Sequence, residues 1–332
     1  MQMTKIRVMV GQFASVGDVI YEHRPGYQFT YDCACTDYDW FVSYEDVSDK
    51  RVGTLINGYE PLRCPKERTI FCTWEPTSVK SYSKSFTRQF GHLLTNRPPE
   101  AERHPHYHLG RGYFFWFNDR SYRENATVVL PPKTKLISAV CSNKQMKHTK
   151  HAARFALMEA LCREVDGFEW YGRGVRAFGK KFEVMDPYKY HVAIENHIGP
   201  HHWTEKLADA LLCECLPFYA GDPLIGECLP PECVIPIPID DPVEAVKIIK
   251  SSIAAGEYEK RRDAILEAKR LILEKYNFWD QIIAVIEASK DQPVTLVDPA
   301  HPIRIYGHHG LRRHSPLAAL EDVYLHAKRG FK

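Results

Sequence analysis

The run Tyr188-Lys189-Tyr190-His191-Val192-Ala193-Ile194 ends in Glu195 and Asn196, and one loop later Thr204-Glu205-Lys206-Leu207 opens another apolar stretch. An apolar run that stops at an acid and an amide reads as a buried strand emerging at the edge of a sheet. A hydroxyl, a carboxylate and an ammonium in succession then begin a helix. The start of a helix offers unpaired N–H groups and the positive end of the backbone dipole, which suits the pyrophosphate of a nucleotide diphosphate sugar. On that reading Lys206 neutralises the pyrophosphate and Glu205 accepts from ribose hydroxyls. The same residues also allow a purely structural reading, in which Thr204 caps the helix and Glu205 is favoured in its first turn by the dipole.

Residues 188–196 together with Trp203-Thr204-Glu205-Lys206-Leu207 resemble the signature of glycosyltransferase family ten, the α-1,3/4-fucosyltransferases. Other pieces fall in the family's order: Ser142-Asn143 closing a strand, Arg154 on the following helix with Glu159-Ala160-Leu161 beyond it, Tyr171-Gly172 at the next strand end, and Leu216-Pro217-Phe218-Tyr219 with Gly221. The likeness runs from about residue 136 to 223. In the first half it is thinner, resting on Phe71-Cys72-Thr73-Trp74-Glu75-Pro76, which resembles the strand that ends in the family's catalytic carboxylate.

The resemblance implies an inverting transferase of GT-B type that moves L-fucose from GDP-fucose to a glycan hydroxyl in one displacement, with no metal or other cofactor. It makes Glu75 the general base, sets Arg154 and Lys206 on the leaving diphosphate, and adds Tyr190, Glu195, Asn196, His202 and Glu205 to the donor site. Read alone, Glu75 is equally a solvated loop acid or a helix-start residue ahead of Pro76, and Arg154 a surface helix arginine. The loop departs from the family pattern: His197 follows the Glu-Asn pair in place of serine, and His201-His202-Trp203 stand where an Asp-Tyr pair is usual. The His202 imidazole still donates a hydrogen bond, as tyrosine would. Losing an acid at His201 changes contacts to the sugar or ribose, so another GDP-sugar, or another nucleotide sugar, is the alternative donor. Outside the enzymes, the alternative is an inactive sugar-binding protein, and replacing Glu75 discriminates it.

Other constellations carry less. Asp37-Tyr38-Asp39 has the D-x-D form that holds Mn²⁺ in another transferase class, but such triplets are common by chance. His104, His106 and His108 alternate in a proline-bearing loop without zinc-ligand spacing. Cys33-x-Cys35 and Cys213-x-Cys215 have one intervening residue instead of two. Gly172-Arg173-Gly174 is too short for a dinucleotide fingerprint. Among the loops from 77 to 117, Tyr82, Phe86, Tyr107, Tyr113 and Trp116 either stack on acceptor sugars or pack internally.

These residues need a scaffold. Strand-like runs at 6–10, 40–43 and 69–73 precede a proline pair, Pro131-Pro132, read as a hinge. Beyond it strands at 135–141, 168–172, 188–195 and 215–220 alternate with helices at 149–161 and 204–212, which specifies a parallel sheet covered on both faces. From 242 onward Ile265, Ile272, Tyr276, Trp279, Ile283 and Ile286 mark one apolar helical face. The expected fold is α/β, with two Rossmann-like domains facing an interdomain cleft and a helical C-terminal segment. Residues 1–130 form the acceptor domain, 131–290 the nucleotide-sugar donor domain, and 291–332 a tail that packs back on the first.

A chain of 332 residues with 44% hydrophobic and 26% charged residues folds throughout. Its 44 basic and 42 acidic side chains give no field to recruit nucleic acid. The partners expected are therefore a nucleotide-sugar donor and a glycan acceptor. No apolar run approaches the length of a transmembrane segment and no signal-peptide pattern opens the chain, so the expected address is the cytoplasm. The ten cysteines sit mostly in apolar runs and read as reduced thiols.

Overall fold

The computed structural model describes residues 3–10, 24–47, 58–77, 79–111, 118–143 and 151–330. The chain divides into two compact units, Met1–Gly110 with Gln281–Lys332, and Arg111–Asp280.

The first unit is built on a parallel six-stranded sheet. Its strands are β1 (Thr4–Val10), β2 (Tyr27–Thr30), β3 (Trp40–Tyr44), β5 (Thr69–Thr73), β6 (His92–Thr95) and β7 (Tyr107–Leu109), in the order β2-β1-β3-β5-β6-β7, while β4 (Tyr59–Pro61) lies outside it. β3 and β5 are buried at every position, and their content of Val, Ile, Thr and aromatics fits strands covered on both faces. Phe71 of β5 packs edge-on against Tyr82 and Phe86, the latter in α1 (Lys84–Thr87). Those two aromatics are core residues of this unit. Tyr107 donates its hydroxyl to the Arg97 carbonyl at 2.5 Å, and Tyr113 and Trp116 lie outside the described residues.

The second unit holds a parallel five-stranded sheet of β8 (Lys135–Val140), β9 (Phe168–Tyr171), β10 (Tyr188–Ile194), β11 (Leu216–Ala220) and β12 (Ile235–Pro236), ordered β12-β11-β10-β8-β9. Its helices are α2 (Tyr122–Thr127), α3 (His151–Glu164), α4 (Glu205–Leu212), α5 (Pro242–Ala254), α6 (Glu257–Lys260) and α7 (Arg262–Glu274). One apolar core joins Leu157 and Leu161 of α3, Leu207 and Leu211 of α4, and Ile265 and Ile272 of α7 to the sheet.

The helical face read from 265 to 286 is two helices, α7 and α8 (Phe278–Ser289). Asn277 causes the break: its side-chain oxygen accepts the Asp280 N–H at 2.8 Å and starts α8 afresh. The division between units falls at Gly110 and Asp280, whereas the sequence reading drew it at 130 and 290. Residues 118–130 join the second unit through the Arg120 guanidinium on Asp186 and the Asn118 carbonyl, which accepts the Phe182 N–H at 3.2 Å; within the segment Asn118 and Asn125 form a buried amide pair at 2.6 Å. Ser121 and Glu124 form a capping box that starts α2 there.

The tail is an integral part of the first unit. β13 (Arg304–Tyr306) pairs antiparallel with β4, and α9 (His308–His314) and α10 (Pro316–Gly330) follow. Asp322 of α10, almost fully buried, takes His308 at 3.0 Å and Arg312 at 2.7 Å. All ten cysteines are free thiols. No helix among the described residues is long and apolar enough to cross a membrane.

Candidate functional site

The chain leaves β8 for β9 on one side and returns to β10 on the other, so the strand order reverses between β8 and β10. In open parallel sheets the crevice beyond the carboxyl ends at such a reversal is where ligands bind. There a pocket of about 260 Å³ is lined by Cys141 and Ser142 after β8, Arg154 of α3, Asn196 after β10, and Glu205 and Lys206 in the first turn of α4. Four residues that the sequence assigned to the donor site are thus brought together: Arg154, Asn196, Glu205 and Lys206.

α4 begins as its sequence requires. Thr204 takes an extended conformation and its hydroxyl accepts the Lys206 N–H at 3.4 Å. Glu195, fully buried, accepts the Thr204 N–H at 2.8 Å and the Thr204 hydroxyl at 2.6 Å. This ties the start of the helix to the end of β10. Glu195 therefore anchors the helix, which differs from its assignment as a donor contact. Burial pushes its pKa up, an effect that the Lys206 ammonium at 3.7 Å opposes.

The ammonium of Lys206 is held by Glu205 at 2.9 Å and Thr204 at 3.2 Å. Burial pulls its pKa down, but the carboxylates of Glu195 and Glu205 outweigh that and leave it raised. Glu205 moves the opposite way: burial favours its neutral form, and Lys206 and Lys181 together hold it below the usual carboxylate range. Lys206 is a fixed cation.

Arg154 is 7% exposed, so the surface-arginine reading does not hold. One guanidinium nitrogen donates to the Asn196 side-chain oxygen, while its Nε is buried with no hydrogen-bond partner among the described residues. Buried guanidinium N–H groups are almost always paired, so a residue that lines a pocket and carries an unpaired one has a donor to spare for an anion.

Besides Glu195, two donor-site residues assigned from the sequence, Tyr190 and His202, stand apart from the pocket lining. Tyr190 stacks on Phe218 at 5.3 Å, and its hydroxyl accepts the Tyr258 N–H at 3.0 Å at the start of α6. It is a core residue because it points from β10 into the α6 and α7 side of the sheet. His202 is buried with its ring edge-on to His197 at 5.2 Å. Burial first, then His197 and Lys206, push its pKa down to about 4, so it is neutral near pH 7.

Lys181 and Cys141 line the same pocket and were not singled out in the sequence. Lys181 is fixed at 2.6 Å on Asp209, one turn beyond Glu205 on α4. Because Lys181 lies in a short 3-10 turn far from any strand end, no local pattern marks it.

Glu75 belongs to the first unit, just beyond the carboxyl end of β5. Its main chain is pinned on both sides: its N–H donates to Glu45 at 3.2 Å and its carbonyl accepts from Arg97 at 2.9 Å. Glu45, at the end of β3, also accepts the Trp74 N–H at 2.8 Å, the Thr73 hydroxyl at 3.1 Å and the Tyr82 hydroxyl at 2.9 Å. Three strand ends thereby fix the segment that carries Glu75. Glu45 has the strand-then-acid signal that drew attention to Glu75, which marks it as legible and overlooked.

Asp37 and Asp39 of the D-x-D triplet are both engaged by Lys5, through its ammonium and its main-chain N–H. His92, His104, His106 and His108 cluster around the amino end of β6 and at β7. Among the described residues, no group of three or more His, Cys, Asp or Glu is arranged to hold a metal ion.

No family model matches the sequence, and no curated relative matches it. The structure is similar to the crystal structure of an α1,3-fucosyltransferase with GDP-fucose, at TM-score 0.51 and 16% identity over 90% of this chain and 93% of that one. A crystal structure of an α1,3-fucosyltransferase with GDP superposes at TM-score 0.50 and 16% identity, over 88% and 92% of the two chains. These likenesses define the fold class as α/β of the GT-B type.

Proposed function

We propose that the protein is a glycosyltransferase that moves a sugar from a nucleotide diphosphate to a glycan hydroxyl, with GDP-fucose as donor. The observation that carries this reading is the pairing of two fixed cations, Arg154 with its unpartnered Nε and Lys206, in one pocket at the reversal of strand order. Cations in such a place suit a pyrophosphate, since a guanidinium grips two phosphate oxygens at once. The fold shared with an α1,3-fucosyltransferase supports the choice of donor.

The mechanism follows from the chemistry of displacement at a sugar carbon. Glu75 takes the proton of the acceptor hydroxyl as that oxygen attacks the anomeric carbon from the face opposite the leaving GDP, so configuration inverts in one step. Positive charge develops on the sugar ring and negative charge on the diphosphate. Arg154 and Lys206 stabilise the latter and supply in protein the charge that a divalent metal supplies in other transferases. Glu205 accepts from ribose hydroxyls.

The test is to incubate the protein with GDP-fucose, other GDP-sugars and UDP-sugars, with and without EDTA, and to measure release of the nucleoside diphosphate. Release of GDP from GDP-fucose, insensitive to EDTA, is the expected result. Release from another GDP-sugar alone moves the donor to that sugar, a second reading favoured by histidine at position 201. No release from any donor, with or without an acceptor glycan, would remove the enzyme reading.

A further inference from the structure

Beside the cationic pocket, the end of β11 carries a polar pair that the proposed mechanism leaves unused. Asp222 is 3% exposed; its Oδ1 accepts the N–H of His201 at 2.9 Å and of Leu224 at 2.8 Å, and its Oδ2 is buried with no partner among the described residues. Next to it, the Nδ1 of His201 is also buried and unpaired among the described residues. His201 sits at φ 60, in the left-handed region that residues other than glycine adopt uncommonly. Two orphaned buried polar atoms and a strained backbone at one spot are each rare, and such features gather at functional sites.

The pair is tied to the donor pocket through the sheet. Ile194 of β10 is register partner to Ala220 of β11, so Asn196 and Asp222 each stand two residues past neighbouring strand ends. Gly221 allows this closeness, since a Cβ there would come within 2.6 Å of the Glu195 side chain and 2.1 Å of the Tyr219 hydroxyl. That hydroxyl accepts the Asp222 N–H at 2.9 Å and fixes the main chain there.

A free carboxylate oxygen repels phosphate, so this end of the site is not a second phosphate cradle. It accepts from a hydroxyl. An imidazole nitrogen accepts or donates according to tautomer, and neighbouring hydroxyls on a sugar ring do both. We propose that Asp222 and His201 form a clamp for adjacent hydroxyls of a sugar ring of the nucleotide-sugar donor, one strand along from the cations. The clamp rests on the donor-site reading above. It also answers the chain's departure from the family pattern: position 201 is histidine, and the carboxylate beside it comes from Asp222.

The experiment is calorimetric titration of GDP-fucose, GDP and 2′-deoxy-GDP into the wild type, Asp222→Asn and His201→Gly. Glycine relieves the left-handed conformation, so His201→Gly is expected to keep or raise the melting temperature while it loses the ring. Both variants are expected to bind GDP-fucose at least about tenfold more weakly than the wild type. If the clamp holds the transferred sugar, GDP binding is unchanged. If it holds the ribose, GDP weakens in parallel and 2′-deoxy-GDP much less. Unchanged affinity for all three ligands in both variants overturns the clamp with the donor site intact. A wild type that binds none of the three overturns the donor site and the clamp with it.

Discussion

Arg154 shows what a single residue tells and withholds. In the sequence it was a helical arginine whose local reading was a solvated surface; in the structure it is buried, bonded to Asn196 and left with one unsatisfied N–H. Burial depends on which strand ends meet, and that is set by sheet order, which no local pattern states. Arg154→Ala and Lys206→Ala are each expected to lower turnover by a hundredfold or more, on the order of 3 kcal/mol of transition-state stabilisation, in steady-state kinetics. Arg154→Lys is expected to restore little, because an ammonium cannot reproduce the forked contact. Glu75→Gln is expected to abolish transfer with GDP affinity unchanged, since its carboxylate acts on the acceptor; weakened GDP binding in that variant would contradict its role as base.

At the level of elements, the anchor of α4 is the critical joint. Glu195 satisfies two donors of Thr204 in a fully buried place, so Glu195→Leu leaves both unpaired. Each lost buried partner costs about 1–3 kcal/mol, and chemical denaturation should register the loss. Thr204→Ala, which removes the cap and the hydroxyl's bonds to Glu195 and the Lys206 ammonium but leaves the Thr204 N–H paired, is expected to cost less, about 1–2 kcal/mol. The elements that the sequence foretold are those with sustained buried runs, β5 and β10 above all. β2, β6 and β7 escaped because they are three or four residues long, and β6 opens on His92, which the sheet buries against the Glu67 carbonyl at 3.0 Å. The break between α7 and α8 escaped because apolar spacing continues across it while Asn277 starts a new helix. Helical periodicity sees faces and is blind to such a cap.

For the whole molecule, histidines buried neutral set the response to acid. Burial lowers the pKa of His92 to about 4 in the first unit, and those of His191 and His202 to about 3 and about 4 in the second, all from near 6.5. Below pH 6.5 the unfolded chain takes up these protons and the folded one does not, so stability is complete above that value and falls as pH drops toward 4. Glu205, held low, is lost in the same direction as pH falls through its folded value, whereas Glu195, raised by burial, acts against it. Thermal melts between pH 7 and 4.5 are expected to show both units destabilised by a few kcal/mol, roughly 1.4 kcal/mol per pKa unit for each histidine. A flat profile would mean that these imidazoles are solvated.

The central claim is that Arg154 and Lys206 together hold a diphosphate. Its most direct measurement is calorimetric titration of GDP into the full chain and into the Arg154→Ala, Lys206→Ala double variant, at low and high salt. The expected result is wild-type binding that weakens as salt rises, with little or none left in the double variant. Equal GDP affinity in the two proteins, or wild-type binding indifferent to salt, would contradict it.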